Sequence, residues 1–379
     1  MRTLHLAAMP FPTQQGTQAL IHAMLCALRA AGHDTHLCCY AQAGFERSTP
    51  YVVHRAREVM HAGSQRSGPS LRKLAQDAGM VADVARLAAA LAPVSVFAHH
   101  VEAMAVALAA GLPDVTFVAH TSLSAELHTY FAAPLQRPLR VLGQWIDRAL
   151  CRRARRVLSV SPMLAQRLSE ECSREVTPLA LPWCAHPALT AGERRAARLQ
   201  LGLASDELVV GYVGNLDAYQ GLAGLLTALG RAAREEPRLA FLVGTASDAG
   251  ALRGLLPSGL RARVVPLTDD ATRRALHAAS DVIAVPRQSP GGIPIKLLDA
   301  LAHGVPVVAQ ARALAGLGCA EVLTPVPDDD PAAFSAGLLT TLRSSPGERQ
   351  VRGEAGRRWL EAHMSPRAFV DDLLGATRV

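Results

Sequence analysis

The sequence predicts an α/β protein made of two Rossmann-like, doubly wound parallel sheets that face each other across a cleft. Three observations carry that expectation. Short β-branched runs alternate with amphipathic helical stretches. The alternation stops at a proline-rich segment, Pro178–Pro187, and then starts again. Glycine, histidine and other polar residues gather directly after the strands, where open parallel sheets bind ligands. A chain of 379 residues is long enough for two lobes with complete cores.

Taken in order, Leu4–Ala8 reads as a buried strand and Pro10–Gly16 as a loop. Thr17–Ala31 reads as a helix, because Ala19, Leu20, Ala23, Met24, Ala27 and Leu28 recur at helical spacing before Gly32 ends it. Thr35–Tyr40 is the next strand, and the polar stretch His54–Ser70 reads as a mobile loop. Leu71–Leu91 (helix), Val94–His99 (strand), Val101–Gly111 (helix) and Val115–Ala119 (strand) follow, the last running into His120-Thr121-Ser122. Leu139–Ala154 is a long amphipathic helix, Arg156–Val160 a strand and Pro162–Glu170 a helix. Beyond the prolines, Leu208–Val213 is a strand, Gly214–Gly221 a loop and Leu222–Glu235 a helix. Leu239–Val243, Val264–Val265 and Val282–Val285 are strands, Leu297–His303 a helix and Val305–Ala309 a strand. Phe334–Arg343, Gly347–His363 and Ser365–Val379 are helical. The expected organisation is a first lobe over residues 1–180, a second over 181–355, and a helical tail over 356–379 that packs back toward the first lobe.

Composition narrows the partners. With 50% hydrophobic and 19% charged residues the chain is globular, and at 4% aromatic content it lacks the rings that stack on single-stranded nucleic acid. No nucleic-acid partner is expected. A net charge of +7 favours anionic ligands, although solvated surface arginine explains it equally well. Seven scattered cysteines with no C-x-x-C spacing suggest reduced thiols and offer no zinc site. Met1–Ala8 is too short for a signal peptide, and the apolar region Ala88–Pro113 is broken by His99, His100 and Glu102. A cytoplasmic protein is expected, with contact at the inner face of a membrane as an option.

The most informative stretch is Pro286–Ala309, PRQSPGGIPIKLLDALAHGVPVVA. Amides freed by Gly291 and Gly292 at a helix start can cradle a diphosphate, since unpaired N–H groups and the helix dipole both favour an anion. Asp299, eight positions after Gly291, can accept hydrogen bonds from ribose hydroxyls. Lys296 is one of only two lysines, with Lys73, in a chain that otherwise uses arginine, which invites a phosphate role as a point charge. An ordinary loop, helix and strand is the competing interpretation.

The cleft is expected to gather Gly16, His99, His100 and His120 from the first half. From the second come Gly214, Asn215, Gln220, Arg287, Gly291, Gly292, Lys296 and Asp299. His120 could orient a sugar, stabilise positive charge through its carbonyl, or move a proton; a ring bonded to loop backbone is the alternative. In strand geometry His99 and His100 point to opposite faces, so at most one of them acts, and no metal site is expected. Glu126–Phe131 reads as an acceptor-side loop or a surface helix. Arg140, Arg148, Arg152, Arg153, Arg155 and Arg156 make the helical stretch Leu139–Arg156 basic, fit either for anionic lipid headgroups or for water.

These motifs together resemble the family 4 glycosyltransferases, whose fold is the GT-B type, over essentially the whole length. The resemblance lies in QGTQALIHAMLCALRAAGH, the HTS after the fourth strand, RARRVLSVSPMLAQRL, YVGNLDAYQGLAGLLTAL and SDVIAVPRQSPGGIPIKLLDALAHGVPVVA. It implies retaining, metal-independent transfer of a sugar from a nucleoside-diphosphate sugar, with no cofactor, to a sugar, glycan or lipid acceptor in cell-envelope synthesis. It makes the first lobe the acceptor side and the second the donor side. His120 matches the active-site histidine and Asp299 the second acid of the family motif, which binds ribose. Gly16, Gly214, Asn215, Gln220, Arg287, Gly291, Gly292, Ile293 and Lys296 fall at donor-binding positions. Three positions depart from the pattern: Gly291 stands where the family has its first Glu, and Asn215 and Gln220 where it has Arg and Lys. A catalytically inactive binding or regulatory relative is therefore the alternative expectation.

Overall fold

The computed structural model describes residues 1–13, 15–42, 48–59, 68, 70–248, 250–288 and 293–375. Two parallel sheets organise them. The first contains β1 (Arg2–Ala7), β2 (Asp34–Cys39), β3 (Val52–Arg55), β4 (Ser95–His99), β5 (Thr116–Ala119), β6 (Arg156–Ser159) and β7 (Thr177–Pro178), in the order β3-β2-β1-β4-β5-β6-β7. The second contains β8 (Leu208–Val213), β9 (Leu239–Thr245), β10 (Arg261–Pro266), β11 (Val282–Val285), β12 (Val307–Gln310) and β13 (Thr324–Val326), in the order β10-β9-β8-β11-β12-β13. Each order reverses beside its first strand, between β1 and β4 and between β8 and β11. Crevices for ligands open at such switch points, beyond the carboxyl ends of the strands.

The central strands are apolar on both faces because helices cover both; β9 is buried along its whole length. One core cluster joins the lobes. Leu20, Ile21 and Met24 of the helix Gly16–Ala30 share it with Ile295 and Leu298 of the helix Ile295–Ala302, and with Phe369 and Leu373 of the last helix, Pro366–Leu374. That last helix is tied to the first lobe by polar bonds as well. The Arg156 guanidinium donates to the carbonyls of Asp372 and Leu373 at 3.1 and 3.2 Å, and the Ala180 amide donates to the Asp372 carboxylate at 2.8 Å.

Several elements differ from the sequence expectation. Val52–Arg55, within and before the expected loop, is an edge strand paired with β2; being only half-buried, it carries no clean alternation. The helix expected from Leu139 begins at Ala133 and runs through Pro138, which forgoes one backbone bond at an exposed end. The helices Ala191–Gln200 and Asp270–Ala279 went unread, yet both announce themselves by their caps. Thr190 and Glu193 form a capping box, and the Asp269 carboxylate accepts from the Thr272 amide.

The helix Pro346–His363 crosses the turn after Ile295–Ala302 at backbone contact. A Cβ on Gly353 would lie 2.0 Å from the Gly304 carbonyl oxygen, and one on Gly356 2.6 Å from Leu301 Cδ2. Gly353→Ala is expected to lower stability by about 1–3 kcal/mol, read as a fall in melting temperature; an unchanged melting temperature would contradict this packing.

Candidate functional site

Between the carboxyl ends of the two sheets lies a cavity of about 760 Å³. The first lobe contributes Gly16, His120, Thr121 and Glu126 to its lining; the second contributes Gly214, Asn215, Asp217, Tyr219, Gln220, Arg273, Arg287, Ile293 and Lys296. The reason is topological: His120 directly follows β5, Gly214 directly follows β8, and Arg287 follows β11 by two residues. Gly16 opens the first helix so close to the second lobe that a Cβ there would lie 3.1 Å from Ile295 Cγ1. Gly221, at φ 72°, lets the loop after β8 press on Pro286, whose carbonyl oxygen would be 2.0 Å from a Cβ.

That loop forms a polar cradle. The Asn215 amide nitrogen donates to Asp217 Oδ2 at 2.6 Å and to Tyr219 Oη at 3.0 Å, and the Gln220 amide nitrogen donates to Asn215 Oδ1 at 2.6 Å. Tyr212 Oη donates to the Asn215 carbonyl at 2.5 Å. Lys296 enters from the neighbouring helix. Its Nζ donates to Tyr212 Oη at 3.0 Å and to Gln220 Oε1 at 2.5 Å, and lies 4.2 Å from the Tyr212 ring centroid. Among the described residues no carboxylate is ion-paired with it. Burial, with Arg287 nearby, holds the Lys296 ammonium well below its usual pKa. Burial also lowers Arg287, which lies 5.9 Å from the Tyr219 ring centroid and feels the charge of Glu126 across the cleft.

Glu126 ends a short helix, Leu123–Glu126, whose first amides donate to the buried Asp147 carboxylate at 3.1 and 2.9 Å. Its own carboxylate accepts from Thr121 Oγ1 at 3.2 Å, and burial raises its pKa. Asp299 does not line the cavity; it forms an ion pair with Arg273, which does. Gly291 and Gly292 lie outside the described residues. Among the described residues no group of three or more His, Cys, Asp or Glu side chains is arranged to hold a metal ion.

His120 is 3% exposed and ends a row of imidazoles. Its Nε2 is 3.0 Å from His99 Nδ1, and His99 Nε2 is 3.0 Å from His5 Nδ1. The ring of His100 stacks on that of His120, with centroids 5.4 Å apart and planes 4° from parallel. The premise that His99 and His100 both lie in strand geometry and point to opposite faces is corrected here: both touch His120. Strand geometry stops at His99, and His100 turns at φ 73° into the next helix. His5 was missed, because one histidine in an apolar strand gives no sequence signal of what it faces. Burial lowers the pKa of His120 and His99 far below the usual value, and that of His5 to about 3.

Comparisons with known proteins agree with this architecture. A family model described as Glycosyltransferase Family 4 matches residues 15–177, and one described as Glycosyl transferases group 1 matches residues 207–344. A D-inositol 3-phosphate glycosyltransferase of Segniliparus rotundus is 30% identical over 175 residues, 44% of this chain and 38% of that protein. One of Mycobacterium tuberculosis is 38% identical over 132 residues, 32% of this chain and 26% of that protein. The matches thus span less than two-fifths of these curated relatives. Among solved structures, sucrose-phosphate synthase from Thermosynechococcus elongatus has a TM-score of 0.77 at 18% identity, covering 100% of both chains. WaaG, described as a glycosyltransferase involved in lipopolysaccharide biosynthesis, has 0.76 at 16%, covering 99% of this chain and 100% of its own. Anabaena Alr3699/HepE, in complex with UDP-glucose, has 0.73 at 16%, covering 100% of both. At these identities the structural likeness shows the shared two-lobed fold.

The buried histidines make stability sensitive to acid. Burial also lowers His277 far below its usual value and His303 to about 4. For groups whose folded pKa is depressed, the contribution to stability is complete above the unfolded value near 6.5. It is lost as pH falls from about 6.5 toward the folded values, at about 1.4 kcal/mol per pH unit per residue. The melting temperature is therefore expected to drop steeply from pH 7 to pH 5 in a thermal-unfolding series; a flat profile would show that these rings are not buried neutral.

Proposed function

Because the chain belongs to the family 4 glycosyltransferases, with the GT-B fold, we propose that it transfers a sugar from a nucleoside-diphosphate sugar to an acceptor hydroxyl. The transfer retains configuration at the anomeric carbon and uses no bound metal. The observation that carries this reading is Lys296: a buried amine with no carboxylate partner among the described residues, reaching the cavity beside Gln220 and Arg287. Where the family has cations at positions 215 and 220, this chain has two amides. Lys296 sends its Nζ to within 2.5 Å of the Gln220 amide oxygen, so the positive charge enters from a different helix and ends in the same place. A cation beside the leaving diphosphate is worth several kcal/mol at about 3–4, which supports Lys296 and Arg287 as the groups that hold it.

In this reading Gly16, Gly214, Gly291, Gly292 and Ile293 let the pyrophosphate approach the backbone. Asp299 serves the ribose end by fixing Arg273, whose side chain lines the cavity. Thr121 and Glu126 face the acceptor. His120 sits at the reacting end, and the departing phosphate takes the proton of the attacking hydroxyl on the same face, so no separate base is needed. The structures of Alr3699/HepE with UDP and with UDP-glucose support a uridine-diphosphate sugar as the first donor to try.

The acceptor side carries a surface suited to a lipid-linked acceptor in envelope glycan or glycolipid synthesis. On the helix Ala133–Arg153, Leu135, Val141, Leu142 and Trp145 share one face and are 51, 59, 45 and 67% exposed. Arg137, Arg140, Arg148 and Arg152 of the same helix are exposed beside them. Exposed apolar groups flanked by arginine suit the interface of an anionic cytoplasmic leaflet. Among the described residues no helix is long and apolar enough to cross a membrane.

Calorimetry against UDP, ADP and GDP, followed by a transfer assay with the sugar form of whichever binds, tests the donor assignment. Lys296→Met, close in volume and uncharged, is expected to weaken nucleotide binding by about 10²-fold or more without lowering the melting temperature. Burial lowers the Lys296 pKa and a bound diphosphate opposes that shift, so across a pH series proton uptake on binding, seen as a dependence of the heat on buffer, is expected for the native protein and not for the variant. Binding without turnover would favour the inactive reading, and no nucleotide binding would sink both. For the membrane surface, sedimentation with phosphatidylglycerol vesicles is expected to be strong for the native chain and several-fold weaker for Trp145→Ala; equal sedimentation of the two would reject that face.

A further inference from the structure

We propose that His5 and His99 are positioning residues whose hydrogen-bonded rings hold His120 as its Nδ1–H tautomer, so that it meets the bound sugar as a hydrogen-bond donor. The inference rests on reading the cavity as the sugar site; its first readout does not.

Three neutral imidazoles in a row have only two arrangements. Each contact pairs a δ nitrogen with an ε nitrogen at 3.0 Å, so one must donate and the other accept. A proton on the δ nitrogen of one ring therefore requires a proton on the δ nitrogen of the next. Either all three rings are Nδ1–H or all three are Nε2–H. The inner end decides between them. His5 Nε2 is buried and has no hydrogen-bond partner among the described residues. In the all-Nε2–H arrangement it would be an orphaned donor; in the all-Nδ1–H arrangement it is an unused lone pair. Orphaned buried N–H groups are the rarer and costlier case. The row therefore settles as Nδ1–H throughout, and His120 is left with Nδ1–H as its only unpaired hydrogen-bonding group.

Packing fixes the rings as well as the protons. His5 stacks on Phe97 with centroids 4.8 Å apart and planes at 17°, and His100 lies parallel to His120. His5 and His99 are 0% exposed, so the row has no outlet to water at its inner end. A proton accepted at His120 has nowhere to go. The device therefore sets a tautomer and does not carry a proton, and the proton-moving role considered for His120 from the sequence is not supported.

His5 tests this well, because it is two rings away from the cavity. ¹⁵N-histidine NMR of the whole chain at pH 7.5 is expected to show Nδ1–H patterns for His120, His99 and His5. His5→Phe keeps a ring over Phe97 and removes the donor to His99; His120 should then become a mixture of tautomers. The kcat should fall by about tenfold, with donor KM and melting temperature nearly unchanged. His5→Asn puts an amide N–H where Nδ1–H was, and should restore both the pattern and most of the rate. An Nε2–H or doubly protonated His120 in the native chain would overturn the proposal, as would a His5→Phe spectrum unchanged at His120. A native chain that shows the Nδ1–H pattern but transfers no sugar would leave the relay standing and remove the sugar reading instead.

Discussion

The contact between the helices Gly16–Ala30 and Ile295–Ala302 is what the rest of the molecule depends on. There a helix of one lobe packs directly on a helix of the other, and the contact is apolar: Leu20, Ile21 and Met24 against Ile295 and Leu298. Such burial is non-directional, so it fixes proximity but not register. Register comes from the glycine at the helix start. With no side chain at Gly16, the backbone amides of the first helix come up to Ile295, and the carboxyl ends of both sheets face one space. The last helix closes over the same cluster, and Arg156 and Ala180 fasten it by bonds to Leu373 and Asp372.

Lys296 and Arg287 are buried in the wall of this cavity, and that changes what their charges do. In a low-dielectric site a charge is strongly felt by a ligand, yet costly to hold while no ligand is there. At Lys296 burial works against the charged form and lowers the ammonium pKa well below its usual value, while Tyr212 and Gln220 satisfy its nitrogen. Glu126 answers in the opposite sense, its pKa raised by the same burial. Burial pushes both groups toward their neutral forms, in opposite senses. The site thus avoids a tight internal ion pair that an incoming diphosphate would first have to break.

How much of this the amino-acid sequence discloses depends on the kind of signal. Leu71–Leu91, Leu222–Glu235 and Val282–Val285 occur as their periodicity requires, because long amphipathic helices and short buried strands are dictated by local pattern. Lys296 was legible by its rarity, and His120 by its position just after a strand. The edge strand Val52–Arg55 was hidden by its half-buried, alternating-poor sequence. The row of His5, His99 and His120 was hidden for another reason. Its members come from β1, β4 and the loop after β5, and only the strand order brings those elements side by side. The exchange of Asp299 from a cavity-lining acid to the partner of Arg273 is equally non-local, since Arg273 lies on a helix that the sequence pattern did not reveal.

The two lobes end up with different electrical characters, and the chemistry of glycosyl transfer explains why that division suits the site. Positive charge develops at the anomeric carbon as the bond to phosphate stretches, while negative charge grows on the departing oxygen. If His120 meets the sugar as proposed, a cationic imidazole there would oppose the first change. Burial keeps His120 and His99 neutral, and the row behind them lets His120 offer an N–H without carrying a charge. The cations lie on the other lobe, where Lys296 and Arg287 can meet the negative charge as it forms. The distance between neutral donors and latent cations is set by the strand order of two sheets, so the polarity of the site is a property of the fold before it is a property of any one residue.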